Sequence, residues 1–449
     1  MNFRFLPFLL VALTGCRATT VPAQPEILPT STPKAVVETP IDRYLKRPEP
    51  LYKWEPTPAG QYQSVAGETN LRLVSQSWQG KPWVHRMQIF APKVNRFPDA
   101  AMINIQFGNG SFLDSLLAKS LADATGATVV TLFNVPNQPL YGKYEDDLVA
   151  YSFAQFIKNG DETWPLLFPM TKSVIKAMDA TQDWSKGDGK TEIKRFIITG
   201  ASKRGWSTYF VGASGDSRVA GIIPVVYNNL NISEQIKNQN KIWDGSSPMA
   251  APYAEIGLFD IALKDEGKKV VAAIDPYSMR ERLTVPKLMV NASNDEFWAH
   301  NSSKFYFDQI PGDNRIFTIP NAPHVLGTSA TAAAGSAAAW SRLILSGQKV
   351  PNVALKVEQK DGNWNFEANP TDAAPKIVRL WFANAPKEDF RESRWESVEL
   401  EPRDGAYKAS LDANELFKSG NNVAAFAEIE IAAEPLPLRI SSQMWEGSR

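Results

Sequence analysis

One cysteine and three histidines stand among 449 residues, and that scarcity excludes much at once. With Cys16 alone, no disulfide can form within the chain, so stability has to come from packing. His85, His300 and His324 are too few to build a zinc or iron centre, and neither a metal nor a cofactor is expected. Net charge is missing too: 48 Lys and Arg balance 48 Asp and Glu, with no basic stripe. Nucleic acid is therefore not an expected partner. Aromatic residues, by contrast, are plentiful. Apolar residues make up 43%, with 13 Trp and 23 Phe, which is ample for large cores. The length points to two folded domains plus appendages.

The cysteine sits where it explains itself. Residues 1–16 carry Arg4, an apolar run from Phe5 to Leu13, and the ending Leu13-Thr14-Gly15-Cys16. This has the layout of an export signal and is too short to span a bilayer stably. Its ending resembles a bacterial lipoprotein box, in which the cysteine becomes the acylated mature N-terminus. The resemblance implies a membrane anchor at Cys16, each buried methylene contributing about 0.8 kcal/mol. Arg17 stands where an aspartate would favour the inner membrane, so the outer membrane is the expected address. Residues 17–40 then read as an extended tether, with Pro22, Pro25, Pro29, Pro33 and Pro40 among small polar residues.

From Ile41 to Gly347, strand-like and helix-like segments alternate. Thr69–Val74 and Trp83–Phe90 read as antiparallel opening strands. Ala101–Phe107, Thr128–Phe133, Arg195–Thr199, Gly221–Tyr227, Pro286–Ala292 and Arg315–Ile319 read as buried strands. Helices are expected over Asp114–Thr125, Leu166–Asp179 and Ser329–Leu345. Such alternation predicts an α/β fold with a doubly wound, mostly parallel sheet. Beyond it, residues 348–449 break into short strands between turn residues, the texture of a small β-sandwich.

The chemistry starts at Arg195-Phe-Ile-Ile-Thr-Gly-Ala-Ser-Lys-Arg-Gly-Trp206, a buried strand that turns sharply at Gly200 and places Ser202 at the apex before a helix. That is the logic of a nucleophile elbow, although Arg204 occupies the place of the second small residue and Gly205 follows one step later. A serine hydroxyl needs a base, and the base needs an acid to orient it. On a hydrolase sheet these follow in the order Ser, acid, His, each after a strand. Pro286–Ala292 ends in Ser293-Asn294-Asp295-Glu296, and Arg315–Ile319 leads to His324. Ser202, Asp295 and His324 are the expected nucleophile, acid and base, with Glu296 the alternative acid. Oxyanion donors are expected at the Lys203 amide and in the Gly108-Asn109-Gly110 loop. Lys203 and Arg204 are candidates for steering an acidic substrate or for a salt bridge at the helix start. His300, in an expected helix, and His85, in a strand, read as structural. Gly212-Ala213-Ser214-Gly215 lacks a preceding strand and reads as the loop closing the elbow helix.

With these residues in place, the chain resembles the PhoPQ-activated pathogenicity-related family over roughly residues 41 to 440. The resemblance is carried by Ile41-Asp-Arg-Tyr44, Tyr52-Lys-Trp54, Asn134-Val-Pro-Asn-Gln-Pro-Leu140 and Glu145-Asp146-Asp147. Trp164, Pro169-Met-Thr-Lys172, Ala177-Met-Asp179, Gly200–Trp206, Asp275-Pro-Tyr277, Asp295-Glu-Phe297 and Pro320-Asn321 extend it. It implies an exported α/β-hydrolase-like protein with a small β domain and a link to envelope adaptation and resistance to host peptides. Trp298-Ala-His300 departs from the acidic or aromatic residues usual after Asp-Glu-Phe.

The expectation is an exported serine hydrolase acting on a small ester or peptide. Glu145, Asp146 and Asp147 are candidates for capturing a peptide's amino terminus, with a solvated helix start as the alternative. Ser-Lys-Arg-Gly is also similar to the Ser-Arg-Asn-Gly of glucuronoyl esterases, which favours a carbohydrate ester. The competing reading is a non-catalytic envelope lipoprotein that uses the hydrolase scaffold to bind a partner.

Overall fold

The computed structural model describes residues 38–449 apart from 59, 63–64, 188–190 and 373. The leader, Cys16 and nearly all of the tether lie outside the described residues. Thr39–Arg449 is one compact unit.

Its frame is a long sheet that starts with β1 (Lys53–Pro56), β2 (Glu68–Trp78) and β3 (Lys81–Phe90), paired antiparallel. The parallel part comprises β4 (Ala100–Ile105), β5 (Thr128–Leu132), β6 (Arg195–Ala201), β7 (Val219–Val225), β8 (Lys287–Ala292) and β9 (Asn314–Ile319). The order runs β1-β2-β3-β5-β4-β6-β7-β8-β9, which puts β6 in the middle. Its residues Phe196, Ile197 and Ile198 are fully buried, as a strand covered on both faces requires.

Helix α1 (Pro40–Lys46) precedes the first strand, while α2 (Phe112–Thr125), α3 (Glu145–Asn159), α4 (Leu167–Ser185) and α5 (Lys203–Ala213) lie between strands. Helix α2 starts two residues earlier than expected because Ser111 caps it in a capping box with Asp114. Gly212 and Ala213 belong to the last turn of α5 rather than to a loop. Between β7 and β8 the chain leaves the sheet as a cap of short helices, α6 (Ile232–Trp243), α7 (Ala251–Glu255), α8 (Leu258–Ala262) and α9 (Lys268–Ile274). Helix α10 (Ala330–Leu345) returns to pack beside α2.

The C-terminal strands form two layers. One is a sheet of β10 (Asn352–Lys360), β11 (Asn363–Thr371), β14 (Glu401–Arg403) and β15 (Ala406–Asp412). The other contains β12 (Ile377–Ala385), β13 (Glu396–Glu399), β16 (Asn422–Ile431), β17 (Leu438–Ser441) and β18 (Trp445–Ser448). This second layer is not separate. Strand β17 meets β9 at Ser441 and Ile316, so the main sheet continues into the C-terminal module. Phe366 and Ala368 of the first layer and Leu380, Val423 and Ala425 of the second share a core with Trp340 of α10.

Candidate active site

Ser202 has φ 57° and ψ −127°, a conformation that costs strain for a residue with a side chain. Its own amide donates to Val225 O of the next strand at 2.8 Å, which fixes the turn against β7. The turn is possible because Gly200, two residues before Ser202, and Gly205, three residues after it, lack side chains. A Cβ on Gly200 would lie 2.8 Å from Arg204 O, and one on Gly205 would lie 3.0 Å from Tyr227 Cβ and Val225 O. Gly205 thus supplies the close packing, which leaves position 204 free to be arginine.

The three expected residues converge. His324 Nε2 lies 2.9 Å from Ser202 Oγ, and His324 Nδ1 lies 2.9 and 3.0 Å from the two Asp295 carboxylate oxygens. Asp295 also accepts from the amides of Phe297 (2.8 Å) and Trp298 (3.2 Å). Burial pushes its carboxyl up, while His324 and these amides pull against that rise. Glu296, the alternative acid, faces elsewhere: its carboxylate accepts the His324 backbone N–H at 2.8 Å. It holds the histidine's main chain while Asp295 orients the ring. The Phe297 ring packs 4.3 Å from the imidazole. Nothing in the sequence distinguished the two carboxylates beyond their order, because their directions depend on the turn.

Lys203 is the first residue of α5, so its amide is one of the helix's unpartnered N-terminal donors. The loop after β4 lies next to the elbow, since Ile105 is in register with Gly200. Gln106 N–H is already given to Leu132 O. Asn109 is tied through its carbonyl to Arg86 at 2.7 Å. Gly108 has φ 60° with open space around it.

For Lys203 and Arg204 the structure shows the salt-bridge alternative at the helix start. Arg204, Glu145 and Asp146 bind one another and Lys203 rather than standing free. Arg204 reaches Glu145 at 2.6 Å and Val135 O at 2.6 Å. Lys203 Nζ reaches Glu145 at 2.8 Å and Asp146 at 3.0 Å. Tyr253 donates to Asp146 at 2.7 Å. Two cations buried beside a nucleophile need counterions, and the start of α3 provides them. Burial pushes the Glu145 carboxyl up, but Arg204 and Lys203 outweigh it and hold it down at about 2.

The other histidines are spoken for. His85 lies within 3.1 Å of Ser75, Ser173 and the Phe133 carbonyl, and burial pushes its imidazole down to about 4. His300 sits in a turn, not a helix, and contacts Glu446 of β18 at 3.1 Å. Among the described residues, no three His, Cys, Asp or Glu side chains converge as metal ligands would, and no helix is long and apolar enough to cross a membrane.

The family model described as "PhoPQ-activated pathogenicity-related protein" matches residues 41–391. Autocrine proliferation repressor protein A of Dictyostelium discoideum is 28% identical over 386 residues, covering 80% of this chain and 77% of that protein. Among solved structures, acetyl xylan esterase 1 from Thermoanaerobacterium is similar at 16% identity and a TM-score of 0.46, over 68% of this chain and 92% of that one. The AtxE2 isopeptidase is similar at 15% identity and a TM-score of 0.44, over 67% of this chain and 41% of that one. The matched span begins in α1 and runs through the elbow, the acid loop and His324. This chain belongs to the PhoPQ-activated pathogenicity-related protein family.

Proposed function

We propose that this protein is a serine hydrolase that cleaves an ester or peptide bond, exported and anchored at the bacterial envelope through Cys16. One observation carries the catalytic part: Ser202, His324 and Asp295 form a continuous hydrogen-bonded chain at a strained elbow. In this reading Ser202 Oγ attacks the carbonyl carbon while His324 Nε2 takes the hydroxyl proton. Asp295 holds the ring and stabilises the imidazolium. When the bond to the leaving group breaks, His324 returns the proton to it. Water then repeats the sequence on the acyl-enzyme and frees Ser202. The Lys203 amide and the loop at Gly108 and Asn109 are the proposed oxyanion donors. Export and lipidation rest on the sequence of residues 1–16.

A fluorophosphonate probe tests the proposal in the full chain. Wild type is expected to label in the membrane fraction, Ser202→Ala to lose the label, and Cys16→Ser to release the labelled protein from membranes. Equal labelling of wild type and Ser202→Ala would refute the nucleophile. Membrane retention of Cys16→Ser would refute the anchor.

A further inference from the structure

Arg86 of β3 is buried beside the loop proposed to bind the oxyanion, and stability alone does not account for it. It stands directly opposite Arg72 of β2, a like-charge pairing that antiparallel strands disfavour. Its guanidinium pairs with Glu68 at 2.7 Å, both side chains being almost completely buried. Taking both charges out of water offsets most of what their attraction returns. What Arg86 does reach is the loop: Nη1 donates to Asn109 O at 2.7 Å, while Nε donates to Asn70 at 2.8 Å. The Tyr62 ring lies 4.0 Å from the guanidinium carbon and, with these bonds, holds the group in one orientation.

Sheet order gives this contact a direction. The strands run β3-β5-β4-β6, so the loop after β4 lies between the strand carrying Arg86 and the strand carrying the elbow. A trans peptide is planar, with its C=O and N–H on opposite sides. Drawing Asn109 O to the β3 side therefore sends the Gly110 N–H towards the β6 side. Among the described residues, no acceptor takes the N–H of Gly108, Asn109 or Gly110. Gly110 rests on Phe133, whose ring a Cβ there would strike, and Phe133 N–H donates to Arg86 O at 2.9 Å. At the loop's start the Phe107 ring lies 5.4 Å from the Arg204 guanidinium, so the loop adjoins the elbow helix.

We propose that Arg86 is a positioning residue of the hydrolase: by holding the Asn109 carbonyl, it turns the Gly110 N–H towards the oxyanion beside the Lys203 amide. The inference rests on the serine-hydrolase reading and names which amide of the loop serves it. Arg86 itself touches no reacting atom; its effect passes through one peptide plane. Glu68 acts one step further out, by fixing the guanidinium. Oxyanion donors meet a charge that exists only in the transition state, so losing their alignment lowers kcat and leaves KM unchanged. Loss of packing alone would instead lower the folded fraction.

The experiment has two arms, both on the full chain. In the first, Arg86→Met is combined with Glu68→Gln so that no lone charge stays buried, and p-nitrophenyl acetate hydrolysis is measured beside circular dichroism. The folded double variant is expected to lose about tenfold or more in kcat with KM unchanged. In the second, wild type carrying 15N-glycine reacts with diisopropyl fluorophosphate, whose phosphoryl oxygen takes the oxyanion's place on Ser202. The Gly110 amide proton is expected to move downfield as that oxygen accepts it. A folded double variant with kcat unchanged, or with only KM raised, overturns the role of Arg86 and leaves the hydrolase standing. So does a Gly110 resonance that stays in place on the labelled wild type, a result that decides even where the double variant fails to fold. Wild type that neither labels nor cleaves the ester overturns both readings.

Discussion

At the scale of single residues, the site shows how one substitution in a motif requires others at a distance. Arginine at 204 in the elbow brings a second cation next to Lys203, and both are buried. Glu145, 59 positions earlier, answers them from the start of α3. The carboxyl's low value of about 2 lies below the roughly 4.3 expected unfolded. Its contribution to stability is therefore present above about pH 4 and lost as pH falls towards 2. Glu145→Gln is expected to cost about 1–2 kcal/mol at pH 7, discounted for its partial exposure. Urea denaturation at pH 7 and pH 3 should show the gap between variant and wild type narrowing on acidification.

At the scale of elements, the cap is tied to the scaffold at a few points. Asp275 is one: its two oxygens accept Ile232 N–H at 2.8 Å, at the start of α6, and Tyr277 N–H at 2.9 Å. Burial nevertheless pushes its carboxyl up to about 7 against the pull of these amides. A value above the roughly 3.9 of the unfolded chain means this contribution is full below about pH 4 and lost as pH rises through 7. Asp275→Asn would turn an amide N–H towards a backbone N–H. The expected cost is about 1–3 kcal/mol, and the stability gap should be smaller at pH 8 than at pH 5. Hydrogen exchange confined to α6 and the segment after Asp275 would locate the loss. Uniform loosening would count against this local role.

At the scale of the whole molecule, the C-terminal module grips the loops that carry the acid and the base. Asn321, three residues before His324, exchanges two hydrogen bonds with the Trp395 backbone at 2.8 and 2.9 Å. Asn294, next to Asp295, donates to the carbonyls of Arg391 and Ser393 at 3.0 and 2.7 Å. Thr318 N–H donates to Ser441 of β17 at 3.1 Å. Asn321→Ala is thus expected to slow phosphonate labelling of Ser202 about tenfold while circular dichroism stays native, because a small displacement of the base costs rate steeply. An unchanged labelling rate would reduce the module to a passenger.

The sequence alone determined the strand–helix alternation, the elbow and the order of serine, acid and histidine. These are local signals: buried strands read as apolar runs, and catalytic residues follow strand ends. It also set Gly200 and Gly205 apart, since a turn that tight tolerates no side chain. It did not determine which of Asp295 and Glu296 faces the imidazole, because two adjacent carboxylates differ only in direction. Nor did it name Glu145 and Asp146 as the partners of Lys203 and Arg204, or reveal that the last strands extend the main sheet. Those facts depend on contacts between residues tens to more than a hundred positions apart. Only the folded chain, by removing water and bringing such groups within 3 Å, decides which charges and edges meet.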